Sequence, residues 1–450
     1  MLAPNPSAEG ARDRRSMIKL VAVVSSCNLL EMYDFMVFGY YATWIARAFF
    51  PTGSEFASLM LSFATFGAGF LMRPVGAVVF GSYIDRHGRR AGLLLTLAMM
   101  AAGTLSIACM PAFASIGLVA PLLVLAGRLL QGLSAGASVG GVSVYLSEIA
   151  TPGRRGFYVS WQSASQQAAV MLASLAGILV NLTLPQAAVA SWGWRIPFFV
   201  GCLLIPALFV MQRSLAETPA FLERAGRHHM SGSEAFRSLT ANLQTVVLGA
   251  VLTTLTTVSF YFITAYTPTY GSSVLHLPVS LSLIVSLCVG ASNFILLPVM
   301  GALSDRIGRK PLLIACSSVM LLTGYPALLW MTGAPSFGRV VTVELWLSVI
   351  YAGYNGAMVV FLTEIMPAAV RTSAFSLAYS LATAIFGGFT PAISTWLIHQ
   401  TGNKAAPGAW LSAAAAVGLI AAVLARHRKT ERIAGASEDA ILLQKSTSRI

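Results

Sequence analysis

Apolar stretches of about 20 residues or more, enough to span the ~30 Å hydrocarbon core of a bilayer as a helix, recur along almost the whole chain with short polar connections between them. No other feature of the sequence constrains the fold as tightly. Backbone polar groups must be satisfied internally in lipid, and unbroken apolar runs of this length satisfy them as helices. Charged residues make up 10% of the 450 residues, against about 25% in ordinary soluble domains, so a water-soluble globule is excluded. The net charge of +13 lies in short basic clusters between apolar stretches, which reads as cytoplasmic loops of a protein whose partner is the lipid bilayer and not nucleic acid. Five cysteines (27, 109, 202, 288, 316) fall inside apolar stretches without paired spacing and read as small buried hydrophobes. The first apolar segment is too long for a signal peptide and carries Glu31 and Asp34, so it reads as a retained helix.

Twelve spans are predicted, near 19–47, 58–83, 92–112, 118–147, 161–183, 192–213, 242–268, 280–303, 311–332, 341–364, 374–398 and 407–425. An even number places both termini on one side. Most of the lysines and arginines share that side, while the other holds only Arg47, Arg195, Arg339 and Lys404, so both termini are predicted to be cytoplasmic. Residues 1–18 form a short N-terminal segment, 19–215 and 242–425 two six-helix halves, 216–241 a cytoplasmic linker and 426–450 a tail.

The halves repeat. Gly81-Ser-Tyr-Ile-Asp85-Arg86-His-Gly88-Arg89-Arg90 after span 2 matches Gly301-Ala-Leu-Ser-Asp305-Arg306-Ile-Gly308-Arg309-Lys310 after span 8, offset by 220. A second echo pairs Tyr145-Leu-Ser-Glu148-Ile149 with Phe361-Leu-Thr-Glu364-Ile365, each followed by a proline (Pro152, Pro367) and an arginine (Arg154, Arg371). Two tandem six-helix halves with a substrate site between them near the midplane are a transporter architecture.

The duplicated Gly-x-x-x-Asp-Arg-x-Gly-Arg-Arg/Lys loop resembles the signature of the major facilitator superfamily. Phe70-Leu-Met-Arg73-Pro74-Val-Gly76, Gly127-Arg128-Leu-Leu-Gln131-Gly132 and Glu217-Thr218-Pro219 resemble its metabolite-proton symporter family. Within that family, Thr257-Val-Ser-Phe-Tyr261-Phe-Ile-Thr264-Ala-Tyr266-Thr-Pro268 and Tyr354-Asn355-Gly356-Ala357-Met358 are similar to the citrate and tricarballylate carriers, as are Thr363-Glu364-Ile-Met-Pro367 and Ala384-Ile-Phe-Gly387-Gly388-Phe-Thr390-Pro391. The resemblance implies proton-coupled uptake of a tricarboxylate. It also implies that Asp85 and Asp305 with Arg89 and Arg309 form a gate, joined by Glu148, Glu364, Arg154 and Arg371.

Four charges stand out deep inside predicted spans: Glu31, Asp34, Arg73 and Arg128. A charge at helix-centre depth costs about 2.5–3.5 kcal/mol on insertion scales and is a functional candidate by default. Asp34 lies roughly 22 Å along the helix from Lys19, Arg73 about 15 Å from the cytoplasmic end at Tyr83, and Arg128 about 15 Å into span 4. Static ion pairs that fix helix packing are the alternative. Two planar guanidinium forks suit a substrate with several carboxylates. A buried carboxyl can instead exchange a proton when desolvation and a neighbouring arginine pull on it in opposite senses. The family pattern in Glu31-Met-Tyr33-Asp34-Phe35 makes Asp34 the first candidate for the proton and Glu31 the second. Asn28, Glu31 and Asp34 form a stripe on span 1 that could line a polar cavity. Gln162, Gln166, Thr257, Tyr261, Thr264, Asn293, Tyr351, Tyr354 and Asn355 extend it, and Tyr33 and Gln131 are counted with it. An interhelical hydrogen bond is the alternative role for each.

Arg195, beside Trp192 and Trp194, reads as an interface anchor, and Glu344 as a surface partner of Arg339. Six histidines show no metal spacing, and no nucleophile with a base or phosphate-binding loop marks an enzyme. The expectation is a monomeric, multi-pass transporter of a bacterial inner membrane, with no metal or cofactor and the proton as coupling ion. Its substrate would be citrate or a related tricarboxylate. A dicarboxylate resembling 2-oxoglutarate, a zwitterion such as proline or betaine, and a membrane sensor stay open as alternatives.

Overall fold

The computed structural model describes residues 21, 29, 31–87, 89–136, 138–213, 242–367 and 370–425. The predicted linker 216–241, both terminal segments and Asn28 lie outside the described residues, as do the side chains of Asp85 and Arg89. The described chain is helical, with no strand. Its spans are α1 (residues 31–40, continued after a turn at Tyr41 by Ala42–Phe49), α2 (Glu55–Leu71 and Arg73–His87), α3 (Arg89–Cys109), α4 (Val119–Ala135 and Ser138–Ile149), α5 (Arg155–Thr183) and α6 (Ile196–Arg213). In the second half they are α7 (Leu243–Tyr261, continuing to Val274), α8 (Val279–Ile307), α9 (Arg309–Gly333), α10 (Phe337–Ile365), α11 (Arg371–Ala382, continuing to Thr401) and α12 (Ala406–Leu424). Nine of these, over their described residues, are long and apolar enough to cross a membrane; α1, α3 and α6 complete the set.

Polarity runs inside out relative to a soluble protein. Leu118, Leu122, Leu182, Leu203, Leu322 and Leu424 are exposed, while serines, threonines, glutamines, Arg73 and Arg128 are buried. Small residues let backbones approach where helices cross. The carbonyl of Gly69 on α2 lies so close to Gly132 on α4 that a Cβ there would clash with it, and Gly156 on α5 meets Gly301 on α8 in the same way.

Proline shapes the helices that matter for the site. Pro74 lacks an N–H and its ring disfavours the preceding helical turn, so α2 is interrupted at Met72 and resumes at Arg73. Pro268 does the same in α7, which carries π-helical turns at Phe262–Tyr266 and Tyr270–Val274 on either side of Thr267–Thr269. A third π turn, Thr383–Gly387, precedes Thr390-Pro391 in α11. Such bulges leave backbone carbonyls without regular partners and concentrate at functional sites.

The halves touch at both ends. On one side Gly39 of α1 packs on Ala265 of α7, the Thr269 hydroxyl donates to the Gly39 carbonyl at 3.4 Å, and Phe56 stacks on His399 at 3.8 Å. On the other, α5 meets α8 at Gly156, and the Thr363 hydroxyl of α10 lies 3.5 Å from Ser147 of α4.

Candidate functional site

Both intramembrane arginines are buried and each is paired with a carboxylate of α1. Arg73 Nη2 lies 3.0 Å from Glu31 Oε1, and Arg128 Nη1 lies 3.0 Å from Asp34 Oδ2. Arg128 and the side chain of Asp34 are closed off completely. Three-residue spacing puts Glu31 and Asp34 on one side of α1, drifting along it by about 60°. Each acid therefore reaches a different neighbour, α2 or α4. The same Arg128 Nη1 donates to Gln131 Oε1 at 2.7 Å, and Gln131 Nε2 donates to Thr104 Oγ1 at 3.0 Å.

Aromatic rings hold the guanidinium planes. Arg128 sits 3.8 Å from the centroid of Phe38, and Arg73 sits 4.4 Å from Phe70 and 4.9 Å from Phe35. Arg73 also faces Tyr261 of α7 and Tyr379 of α11 across the junction between halves. Tyr261 packs edge-on against Phe70 and lies against Gly387, where any Cβ would meet its ring. The Arg73 side of the site thus spans both repeats, and the Arg128 side belongs to the first.

Among the described residues, several buried polar atoms have no hydrogen-bond partner: Arg73 Nε, Arg128 Nε and Nη2, Asp34 Oδ1, the side-chain nitrogens of Gln162 and Gln166, and both polar atoms of Gln167, Asn293 and Asn355. An unsatisfied buried donor or acceptor costs about 1–3 kcal/mol, so this concentration is far from neutral. These donors and acceptors from α5, α8 and α10 fit a ligand rich in carboxylate and hydroxyl oxygens.

Other predicted cavity residues are committed to the scaffold. Tyr33 donates to the Pro197 carbonyl of α6 and Tyr354 to the Leu252 carbonyl of α7, each at 2.8 Å. The hydroxyls of Thr257 and Thr264 donate to carbonyls of their own helix. Tyr351 packs beside Phe260 and near Gln167. Gln167 escaped the sequence reading because the stripe Gln162/Gln166 left it one position off the chosen face. Arg195 donates to the Ala108 carbonyl at 3.3 Å and lies over Trp194, as an anchor does.

Glu344 is a correction. It is no surface partner of Arg339: its residue is 1% exposed, and its Oε1 lies 2.9 Å from the Thr267 hydroxyl. Arg339 turns instead onto Trp330, donating to its carbonyl at 3.1 Å. Five residues on a helix separate two side chains by about 140°, so sequence proximity did not place them on one face.

A second polar cluster lies where α5, α8 and α10 meet. Asp305 accepts the backbone N–H groups of Gly156 and Phe157, at 2.8 and 3.0 Å, and so caps the first turn of α5 from the opposite half. Arg309 Nη2 bridges Asp305 Oδ1 at 2.7 Å and Glu364 Oε1 at 3.2 Å. These groups, with Arg155 and Arg371, line a cavity of about 370 Å³. Of the other predicted gate residues, Glu148 and Arg154 are exposed and make no ion pair among the described residues.

The model of the sugar (and other) transporter family matches residues 20–240 and 223–431. The chain is 57% identical over 414 residues to the citrate-proton symporter of Salmonella typhi, covering 92% of this chain and 95% of that one. It is also 57% identical over 415 residues to the citrate-proton symporter of Klebsiella pneumoniae, covering 92% of each. The partially occluded, inward-open structure of the xylose transporter XylE from E. coli superposes with a TM-score of 0.74 at 18% identity, covering 92% of this chain and 99% of that one. At that identity the likeness establishes the fold, twelve helices in two repeats, and no more. The matched family model and the two symporter relatives over nearly the whole chain place this protein in the sugar (and other) transporter family of the major facilitator superfamily.

Proposed function

We propose that this chain is a proton-coupled symporter that imports citrate, or a close tricarboxylate such as tricarballylate, by alternating access between its halves. It is a transporter and not an enzyme. The observation that carries the reading is the Arg128–Asp34 pair, a guanidinium and a carboxylate held 3.0 Å apart at a buried position, with Nε and Nη2 of the arginine unengaged. Arg128 and Arg73 bind substrate carboxylates, and Asn28, Gln131, Gln162, Gln166, Tyr261, Asn293 and Asn355 complete the polar shell, with Tyr33 and Tyr354 as supports. Asp34 is the proton site and Glu31 the partner of Arg73.

The coupling follows from charge. A substrate carboxylate that engages Arg128 competes with Asp34 for the same guanidinium. An ionised aspartate left buried without its cation is strongly unfavourable, so Asp34 takes a proton as substrate binds. Substrate and proton then load together, and a carrier loaded with one alone is held back. Asp305, Arg309, Glu364 and Arg371 hold the cytoplasmic side closed, with Asp85, Arg89, Glu148 and Arg154 as their counterparts in the other repeat. Both termini and the linker 216–241 face the cytoplasm of a bacterial inner membrane, and the protein works there as a monomer.

Counterflow of labelled citrate in proteoliposomes tests this reading, because it separates exchange from proton-driven accumulation. The parent exchanges citrate, excess tricarballylate inhibits it and betaine does not. Arg128→Ala abolishes exchange, whereas Asp34→Asn keeps exchange and loses accumulation driven by a pH gradient. A parent that ignores citrate refutes the substrate assignment, and Asp34→Asn that still accumulates refutes the proton site.

A further inference from the structure

The symport mechanism leaves one buried acid unused. Glu344 lies two turns from the start of α10, about 10 Å along the helix from Phe337. Among the described residues no lysine, arginine or histidine lies within 4.0 Å of it, and Oε2 has no partner. The long polar side chain is thus enclosed with a single hydrogen bond.

That hydrogen bond leaves the one hydrogen of the Thr267 hydroxyl a choice of two acceptors. The Thr267 oxygen is 2.9 Å from Glu344 Oε1 and 3.1 Å from the Phe262 carbonyl. A hydroxyl has one hydrogen to donate. When it goes to Phe262, the shorter contact is closed only by a hydrogen on Glu344, giving a directed chain from carboxylic acid to hydroxyl to carbonyl. An ionised Glu344 would instead hold a full charge with one oxygen bare and no cation beside it, which is among the costliest arrangements available in a protein interior.

Among the described residues, no cation pairs with Glu344. The phenol of Tyr270 on α7 faces Glu344 electrostatically, but its hydroxyl is given to the Lys404 carbonyl at 2.6 Å. Arg339 on α10 is held at Trp330, and Lys404 is exposed. The lysines, arginines and acids of α8 and α9 are confined to their far ends, at Asp305, Arg306, Arg309 and Lys310, and α12 has none.

We infer that Glu344 is a second proton-carrying site of this transporter, loaded while the ends of the halves at α1 and α7 are closed against each other. The geometry ties the two events together. Thr267 lies between the two π turns of α7, and two residues further on Thr269 donates to the Gly39 carbonyl of α1, beside the close approach of Gly39 to Ala265. Loss of the proton pulls the Thr267 hydroxyl from Phe262 and demands water at Glu344, which the closed segment excludes. Glu344 therefore releases its proton when α7 withdraws from α1. As part of a transport cycle this rests on the symport reading; as a statement about where a proton sits it does not.

Infrared difference spectra of the full-length protein in proteoliposomes, alkaline minus neutral, test it directly through the carbonyl stretch of a protonated carboxylic acid. The parent loses such a band at alkaline pH, and Glu344→Gln, whose amide can still donate to Thr267, lacks that component while keeping those of the other acids. Thr267→Val keeps the band and shifts its frequency, because the acid has lost its acceptor. Identical difference spectra for parent and Glu344→Gln overturn the inference. Should Glu344→Gln fail to fold, a band unmoved in Thr267→Val overturns it equally. In citrate counterflow, the alkaline decline of Glu344→Gln relative to the parent is shallower by one proton, about tenfold less per pH unit. A parent without citrate exchange would refute the symport reading while leaving the spectra to judge the proton site.

Discussion

Arg73 and Arg128 are held by rings as well as by acids, which separates how they are oriented from what they bind. Phe38 lies against the guanidinium of Arg128 and Phe70 against that of Arg73, so each fork keeps its plane when a carboxylate arrives or leaves. Lysine at position 128 would keep the charge and lose both the fork and the stacking. Arg128→Lys is therefore expected to weaken citrate binding at least about tenfold, or 1.4 kcal/mol, read from the concentration dependence of counterflow. An unchanged half-saturation would mean that a point charge suffices. Arg128→Ala removes the cation from a buried carboxylate, a change that costs about 3–5 kcal/mol in comparable buried pairs. The double variant Arg128→Gln/Asp34→Asn removes both charges at similar volume and recovers most of the lost apparent Tm in detergent. Equal losses in both proteins would assign the effect to packing. Charge type and depth along each helix were enough to single out these four residues from the sequence. Which acid meets which arginine was not legible, because that depends on how α1 is rotated between α2 and α4.

At the scale of elements, α7 is the least regular of the described spans, and it meets α1 across the junction between the halves. Its π turns flank Thr267-Pro268-Thr269, and each π turn rotates the residues beyond it by about 100° relative to a regular helix. Restoring an N–H with Pro268→Ala removes the local reason for the irregularity. The expected result is that Thr269 turns away from Gly39. A membrane-impermeant maleimide added from outside then labels Thr269→Cys several times faster in the Pro268→Ala background than in the parent, where this residue is buried. Unchanged labelling would show that tertiary packing, not the proline, sets the bulge. Hydropathy ended this span at Pro268, whereas the helix runs on to Val274, because Tyr270-Gly-Ser-Ser is too polar for a hydropathy window although Tyr270 and Gly271 are buried. The start of α5 shows the same limit. Arg155–Ser160 was excluded from the predicted span, but this turn receives the cap from Asp305.

For the molecule as a whole, alternating access requires contacts between halves that hold one side shut and can be broken. The duplicated loops declared in the sequence that such contacts exist, since an aspartate in both basic loops has no role in topology alone. Their target stayed hidden, because Asp305 caps a helix 149 residues away in the other repeat. Two features now compete to set the strength of this contact. The carboxylate of Asp305 makes charge-assisted bonds to two backbone N–H groups, and a hydrogen bond to a charged group contributes about 1.5–3 kcal/mol. Beside it, a Cβ at Gly301 would clash with the Gly156 carbonyl, which is backbone and cannot yield as a flexible side chain would. Gly301→Val therefore forces α5 and α8 apart sterically, and Asp305→Asn loosens them electrostatically while leaving room. Both are expected to expose Thr363→Cys, buried in the parent, to a maleimide added from the cytoplasmic side. For Asp305→Asn, loss of one such bond shifts the closed-to-open ratio by about tenfold to a hundredfold. The two variants differ in reversibility. Raising the affinity of the closed state with saturating external citrate restores protection in Asp305→Asn, where the halves can still meet, and fails to do so in Gly301→Val. If citrate protects both equally, the glycine crossing is not a steric limit on closure; if it protects neither, the Asp305 contact is itself required to bring the halves together.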